Sequence, residues 1–228
     1  TTAQYSVYYG KGRDAYDVPG RVAHENIFNI SDGRYRCPNS QQGYSPFSTW
    51  TRGLSWVLCG FAEQLEWLAA ARDGALGNGA GGTTGGARTM DTTGAIPDAL
   101  DGIGTHLRRF DLKDSPFESE TTVEARFLET ACAVADFHIA TTPPDGIPFW
   151  DTGAPGIAGR PELTEQPADP ATAPEPVDSS AGAISAQGLL RLGRYLQMNA
   201  DRLAASGAIG KSDRRPDLPQ SPADIAAL

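Results

Sequence analysis

Arg52 and Trp56 are four residues apart in a segment whose apolar spacing predicts a helix, so their side chains project from the same helical face. A guanidinium pairs with a carboxylate through two parallel hydrogen bonds. An indole ring offers a flat, largely apolar surface to a sugar ring. This combination suits an anionic sugar. A surface arginine packed over an aromatic ring has the same spacing, and the spacing alone favours that structural interpretation.

Gln42 and His24 precede this pair and add further polar chemistry. Gln42 begins a QGY run, and its amide both donates to and accepts from hydroxyl groups. His24 lies in VAHENIF, which does not match the HExxH pattern of zinc proteases. Taken singly, Gln42 fits an ordinary turn before a helix, and His24 fits a structural histidine.

Two carboxylates and two serines form a second polar group later in the chain. Asp151 lies in FWDTGAPG, and Asp178 precedes Ser179 and Ser180 in EPVDSSAGA. A pair of carboxylates could supply acid and base catalysis. Asp near Gly or Ser is more commonly a turn former or a helix cap. The sequence has no GxSxG nucleophile elbow, so it does not indicate an α/β-hydrolase site.

The composition of the chain disfavours several classes of function. The 228 residues carry a net charge of -9, which disfavours nucleic-acid binding because that binding depends on positive charge and counterion release. Three cysteines, Cys37, Cys59 and Cys132, have no metal-ligand spacing and predict buried free thiols. No apolar run approaches the roughly 20 residues that a membrane-spanning helix needs.

Apolar residues recur at spacings of three and four in three segments, which are therefore predicted helices: residues 50–72, 121–142 and 179–206. Ser48 or Thr49 is expected to cap the first helix, and Asp178 the third. The small side chains at the start of the third helix would let a neighbouring backbone or a ligand approach closely. No segment has the alternation of a long strand, so the predicted fold class is all-α.

Loops are expected to connect these helices within a single domain spanning residues 1–228. Residues 1–39 are aromatic and interrupted by glycines, which is typical of loops with a helical turn. Residues 73–98 are glycine-rich and contain no lysine, so they predict an insertion loop rather than a phosphate-binding loop. Residues 160–177 are rich in proline and acidic residues and predict a surface loop.

Four sequence blocks, taken in order, resemble glycoside hydrolase family 88, the unsaturated glucuronyl hydrolases. The blocks are His24, QGYSPFSTWTRGLSW, FWDTGAP and DSSAGAISAQGLLRL. The resemblance implies an (α/α)6 barrel of the six-hairpin glycosidase type. It also implies release of a 4,5-unsaturated uronic acid from lyase-generated oligosaccharides, by protonation of the double bond and addition of water. It implies no metal and no organic cofactor.

The resemblance also assigns substrate contacts to individual residues. The arginine and the glutamine would hold the carboxylate and the hydroxyls, and the tryptophan would stack on the ring. The histidine would hydrogen-bond near the reacting centre, and the two serines would line the same pocket. The predicted substrate-binding residues are His24, Gln42, Arg52, Trp56, Ser179 and Ser180.

Two departures from the family pattern limit what the resemblance implies. The family has acidic residues after QGY, where this chain has Ser45, Pro46 and Phe47, and this leaves the exact substrate open. The acid/base aspartate of the family would lie upstream of Thr1, and the last barrel helices are also missing. The sequence therefore predicts an incomplete barrel, without its catalytic acid, that a second chain could complete.

The expected ligand is an unsaturated uronic oligosaccharide, and a bacterial cytoplasmic or periplasmic location fits this role. Two alternatives stay open at this point. One is a non-catalytic helical carbohydrate-binding or structural protein that kept the pocket. The other is a related unsaturated rhamnogalacturonyl hydrolase, which the histidine and the QGY run make the weaker interpretation.

Overall fold

The computed structural model describes residues 1–73 and 123–206, and this part of the chain is rich in helix. Its elements are a π-helical turn (Thr2–Ser6), strands β1 (Glu25–Phe28) and β2 (Tyr35–Asn39), helices α1 (Thr51–Arg72) and α2 (Val123–Thr141), a 3-10 turn (Pro161–Thr164), and helices α3 (Ser179–Met198) and α4 (Ala200–Ser206). The predicted insertion loop, residues 73–98, lies outside the described residues except for its first position. Among the described helices, none is both long enough and apolar enough to cross a membrane.

Helix α1 is the centre of the packing, because it contacts both α2 and α3 whereas those two helices barely contact each other. Its apolar residues at spacings of four and seven, Leu54, Leu58 and Leu65, are fully or almost fully buried. The expected cap is wrong: Trp50 is the N-cap, and it makes no side-chain cap hydrogen bond. Thr49 does not cap the helix because its hydroxyl bonds the backbone of Val22 instead.

Ser48 does not cap α1 either, because its hydroxyl bonds Ser45 within the preceding turn. Helix α2 is confirmed within the described range, from Val123 to Thr141. Its apolar residues Leu128, Ala131 and Val134 are buried in the same core as the apolar face of α1. The three-helix layer thus follows from the apolar spacing of the sequence.

Helix α3 is shorter than predicted, because the helix ends at Met198 and Asn199 separates it from α4. The Asn199 amide donates to the carbonyl of Tyr195, and such local side-chain bonds compete with regular helix. The small residues of α3 bring it close to α1: a Cβ on Gly188 would lie 2.9 Å from Leu58 Cγ. The hydroxyls of Ser185 and Ser55 hydrogen-bond across the same contact at 2.7 Å. A neighbouring backbone, and not a ligand, occupies this surface.

A β-hairpin lies in the segment that was expected to be loop, and the all-α prediction is corrected to this extent. Strands β1 and β2 pair antiparallel, with Glu25 opposite Asn39 and Ile27 opposite Cys37. The two strands have only four and five residues, so alternation was too brief to stand out in the sequence. The (α/α)6 barrel remains a prediction, because the described helices form one layer around α1.

Candidate functional site

Three segments far apart in the sequence meet at the start of α1. The backbone N–H of Thr51 donates to the carbonyl of Trp150 at 3.1 Å, and the N–H of Trp150 donates to the carbonyl of Pro176 at 2.9 Å. Isolated bridges pair Trp50 with Asp151, and Phe149 with Val177. The TWTRG, FWD and EPVD blocks therefore lie side by side, as a shared site requires.

The Asp151 side chain links the FWD block to the QGY turn (residues 42–44) from a buried position. It is fully buried, and its Oδ2 accepts a hydrogen bond from the backbone N–H of Tyr44 at 2.8 Å. Its Oδ1 accepts from the N–H of Gly153 at 2.9 Å. A Cβ on Gly43 would lie 3.0 Å from Oδ2, so the QGY turn passes close to the carboxylate. Asp151 is a turn former, which was one of the two roles that the sequence left open.

Asp178 caps α3, as predicted, and also binds Arg52 across the interface between α3 and α1. Its Oδ1 accepts from the N–H of Ala181 at 2.9 Å and from the hydroxyl of Ser180 at 2.7 Å. Its Oδ2 accepts from Nε of Arg52 at 2.9 Å, and Nη2 of the same arginine lies 2.9 Å from Oδ2 in the ion pair. Both carboxylate oxygens are therefore engaged, and no sequence pattern predicts this ion pair.

The electrostatics of this pair keep Asp178 ionised. Burial raises the pKa of its carboxyl, but the hydrogen bonds from Ser180, Ala181 and Arg52 outweigh burial, so the pKa lies below its ordinary value. The Asp178 side chain is 4% exposed, whereas that of Arg52 is 44% exposed. Asp178 thus fixes an arginine that still reaches the surface, and it is unsuited to act as a general acid.

The aromatic ring that lies beside Arg52 is Trp50. The Arg52 Cζ lies 5.9 Å from the centroid of the Trp50 ring. Trp56, which the sequence paired with Arg52, is 59% exposed and lies one helical turn further along α1. Trp50 was not among the predicted site residues, because it begins the apolar pattern of the predicted helix at residues 50–72.

His24 contacts both Trp50 and the QGY turn. Its Nδ1 accepts from the backbone N–H groups of Gln41 and Gln42, at 3.1 and 3.2 Å. In the neutral ring the proton is therefore on Nε2. The ring packs edge-on against Trp50, with centroids 4.8 Å apart. The structure thus places His24 next to the start of α1, and the Gln42 residue itself is exposed.

The predicted site residues are brought together only in part. His24 and Arg52 both contact Trp50, and Ser180 contacts the carboxylate that holds Arg52. Ser179 is exposed at the first position of α3. Gln42, Trp56 and Ser179 show no side-chain bond to the other site residues within the described part of the chain. The structure adds Asp178 and Trp50 to this cluster, since both contact Arg52.

A cavity of about 320 Å³ lies near the FWD segment but is separate from this cluster. Its lining includes Thr51, Phe149, Thr152 and Arg160. None of the six predicted substrate residues lines it. The cluster around Arg52 is therefore distinct from this cavity.

The cysteines and His138 play structural parts. All three cysteines are free thiols; Cys59 is buried and Cys132 is partly buried, but Cys37 is exposed, contrary to the expectation of three buried thiols. Burial lowers the pKa of His138 to about 4, so this histidine is neutral at pH 7. In residues 1–73 and 123–206, no three His, Cys, Asp or Glu side chains are grouped to hold a metal ion.

Comparison with known proteins gives a distant likeness in solved structures. No protein-family model and no curated protein sequence matches the chain. One similar structure is an unsaturated glucuronyl hydrolase from Bacillus sp. GL1, described as responsible for the degradation of glycosaminoglycan, with 21% identity and a TM-score of 0.42. A variant of UGL described with dGlcA-Glc-Rha-Glc gives the same values. Each match covers 86% of this chain but only 36% of the other, and a likeness this distant establishes neither a family nor an activity.

Proposed function

We propose that this chain carries the uronate-binding part of a glycoside hydrolase that releases 4,5-unsaturated uronic acid from lyase-generated oligosaccharides. The observation that supports the proposal most is the position of Arg52 at the meeting point of the sequence blocks that resemble glycoside hydrolase family 88. Arg52 and Asp178 are 126 residues apart in the chain, yet their blocks are joined there by the ion pair and by the backbone bonds of the FWD segment.

Arg52 has the geometry of a carboxylate receptor. Its Nε and Nη2 are fixed by Asp178, and its Nη1 makes no hydrogen bond within the described residues. The outer edge of the guanidinium is therefore open to a planar carboxylate at a half-exposed position. Since Asp178 balances its charge, the site recognises the uronate by the direction of its N–H groups more than by net charge.

The groups around Arg52 suit the remainder of a sugar ring. Trp50 and Trp56 offer aromatic surfaces next to the arginine and one turn away from it. The Nε2–H of His24 is a donor whose direction is set by the two backbone bonds to Nδ1. The Gln42 amide both donates and accepts, which suits neighbouring hydroxyls.

The reaction in this proposal is hydration of a vinyl ether. An acid protonates the double bond, water adds to the adjacent carbon, and the hemiketal then opens and releases the rest of the oligosaccharide. Neither Asp151 nor Asp178 suits the part of the acid, because both oxygens of each carboxylate accept hydrogen bonds. The proposal therefore gives the described residues the task of holding the uronic acid.

The test follows the absorbance of the unsaturated chromophore after an unsaturated disaccharide is added to the full-length protein, in which the proposal places the acid outside the described residues. We expect the absorbance to fall, and we expect Arg52→Ala to raise KM by about 10- to 100-fold, as loss of a charge-assisted bond of about 1.5–3 kcal/mol implies. Arg34→Ala removes an exposed arginine of the hairpin and should leave KM unchanged. An unchanged KM in Arg52→Ala would remove the role given to Arg52.

A second candidate is a carbohydrate-binding protein that holds the same sugar without hydrolysing it. The structural use of both Asp151 and Asp178 favours it, because the two carboxylates that the sequence offered for catalysis are occupied. Calorimetric titration with the disaccharide separates the two candidates. Saturable binding that depends on Arg52, with constant chromophore absorbance, supports the binding protein; absence of both binding and turnover rejects both candidates.

A further inference from the structure

The turn that carries Gln42 is held by side chains from two other parts of the chain. On one side, Nδ1 of His24 accepts from the backbone N–H groups of Gln41 and Gln42, at 3.1 and 3.2 Å. On the other side, Oδ2 of Asp151 accepts from the N–H of Tyr44 at 2.8 Å. Gln42 itself lies outside the helices and strands, so these side-chain acceptors set the course of its backbone.

The side of this turn that faces the protein is closely packed. A Cβ on Gly43 would lie 3.0 Å from Asp151 Oδ2 and 3.1 Å from Trp50 Cβ. The turn therefore has no room to move further inward. Gln42 is exposed, so loss of the bonds to His24 would let the turn move outward and carry the Gln42 amide with it.

The two bonds to His24 require a neutral imidazole. An Nδ1 that accepts has no proton, whereas both nitrogens of a charged ring carry protons and can only donate. Histidine is the side chain whose charge ordinarily changes between pH 5 and pH 8. Protonation of His24 would therefore leave two backbone N–H groups without their acceptor. Both bonds lie at the surface, where water can replace the acceptor, so the turn loosens and the fold remains.

Charged groups belong to each segment around His24, and within the described residues none of them bonds the imidazole. Glu25 follows it in β1, and its carboxylate accepts from a side-chain amide of β2. Arg52 and Asp178 form an ion pair between α1 and α3. Asp151 bonds the other side of the turn. The bonds that protonation of His24 removes are therefore those to the two backbone N–H groups.

We propose that His24 is a positioning residue for Gln42: the neutral imidazole holds the turn, and its protonation releases the turn and weakens sugar binding. The effect on sugar binding rests on the proposed function, whereas the effect on the turn does not. A protonated His24 keeps its Nε2–H donor and gains a positive charge. Action through direct contact alone would therefore strengthen the binding of an anionic sugar at low pH, and positioning predicts the opposite.

The first test follows the backbone amide resonances of Gln41 and Gln42 by NMR in the full chain between pH 8 and pH 5, without sugar. We expect both amides to shift with the same midpoint as the His24 ring. The temperature coefficients of the two amide protons should change to those of solvated N–H groups at pH 5, which separates loss of the bonds from the field of the charge.

Two variants make this test specific. His24→Asn supplies an uncharged acceptor on a short side chain, so it should keep both amides bonded at pH 8 and at pH 5. His138→Gln removes a buried histidine of α2 and is the matched control, which should titrate like the wild type. Amides that stay bonded at pH 5 while the His24 ring titrates, or that titrate equally in His24→Asn, would overturn the proposal.

The second test measures Kd of the unsaturated disaccharide by calorimetry at pH 8 and at pH 5. We expect the affinity of the wild type to fall by about three- to tenfold at pH 5, as loss of one hydrogen bond implies. His24→Asn should show little change with pH. Gln42→Ala should bind more weakly at pH 8 and lose most of the pH dependence, because the side chain that His24 positions is gone.

The outcomes of the two tests are distinguishable. Equal or tighter binding by the wild type at pH 5 would overturn the link between the turn and the sugar. Absence of binding at both pH values would reject the proposed function, and the amide resonances of Gln41 and Gln42 would still decide whether His24 holds the turn.

Discussion

The helical layer and the N-terminal segment differ in how they accommodate buried charge. In the helical layer, the Asp178 carboxylate is paired with Arg52, and His138 avoids charge because burial lowers its pKa to about 4. In the N-terminal segment, Arg13 and Arg21 have aromatic rings on their faces but no carboxylate partner among the described residues.

The difference shows how residue type limits the options at a buried position. A histidine becomes neutral at a moderate cost, and a carboxylate is stabilised by a few well-directed donors. An arginine keeps its charge at any physiological pH, so its burial requires an acceptor. Arg52 has a carboxylate acceptor within the fold and remains partly exposed, whereas the buried Arg21 bonds backbone carbonyls among the described residues.

The largest expected effect concerns the neutral His138. Its folded pKa lies below the unfolded value of 6.5, so the unfolded state binds the extra proton between about pH 6.5 and pH 4. The free energy of unfolding should therefore fall as the pH is lowered through this window, by up to about 3 kcal/mol. Urea titrations at several pH values measure this fall, and His138→Gln should flatten it. The same slope in both proteins would mean that other groups cause it.

The second-largest effect on the free energy of unfolding is expected from removal of the carboxylate that binds Arg52. Asp178→Ala removes the cap of α3 and the ion pair with Arg52, and we expect it to lower the free energy of unfolding by about 2–3 kcal/mol. Asp32→Ala breaks an exposed pair with Arg34 and should cost less than about 0.5 kcal/mol. Equal costs in the two variants would show that the pairing of Asp178 with Arg52 adds nothing to stability.

The close contact between α1 and α3 gives a third prediction. A Cβ on Gly188 would lie 3.0 Å from the backbone nitrogen of Cys59, so Gly188→Ala should push α3 away from α1. Overpacking destabilises the protein, and the higher helix propensity of alanine offsets part of this cost. We therefore expect the free energy of unfolding, measured by urea titration, to fall by about 1–2 kcal/mol. Gly60→Ala in α1 meets nothing within 4 Å and should stabilise the protein by up to about 1 kcal/mol. Stabilisation by both substitutions would indicate that α1 and α3 pack less closely at Gly188 than the structure shows.

The smallest effect is expected at the unpartnered hydroxyl of Tyr35. Tyr35→Phe keeps the ring that stacks on Tyr5 and removes a buried hydroxyl that has no acceptor within the described residues, so the free energy of unfolding should change by less than about 0.5 kcal/mol in urea titrations. A large loss would show that the hydroxyl has an acceptor within the protein.

The local structure of the helical layer was predictable because it depends on neighbours in the sequence. Leu54, Leu58 and Leu65 recur at helical spacing and are buried, and Asp178 before two serines predicted the cap that α3 has. The β-hairpin was missed because its strands are too short for a pattern of period two to stand out. The break at Asn199 was missed because an apolar stripe continues through it into α4.

By itself the sequence determined the helices, the cap at Asp178 and the four blocks that resemble family 88. Only the tertiary structure decided that Asp178 binds Arg52, which is 126 residues away in the sequence. The same holds for the bond from the backbone N–H of Tyr44 to Asp151, since these two residues are 107 apart. The physical reason is that spacing fixes which side chains share a face, whereas the partner of a charge depends on which segments the fold brings together. The positions of Arg13 and Arg21 against the Tyr8 ring are likewise decided by the tertiary structure.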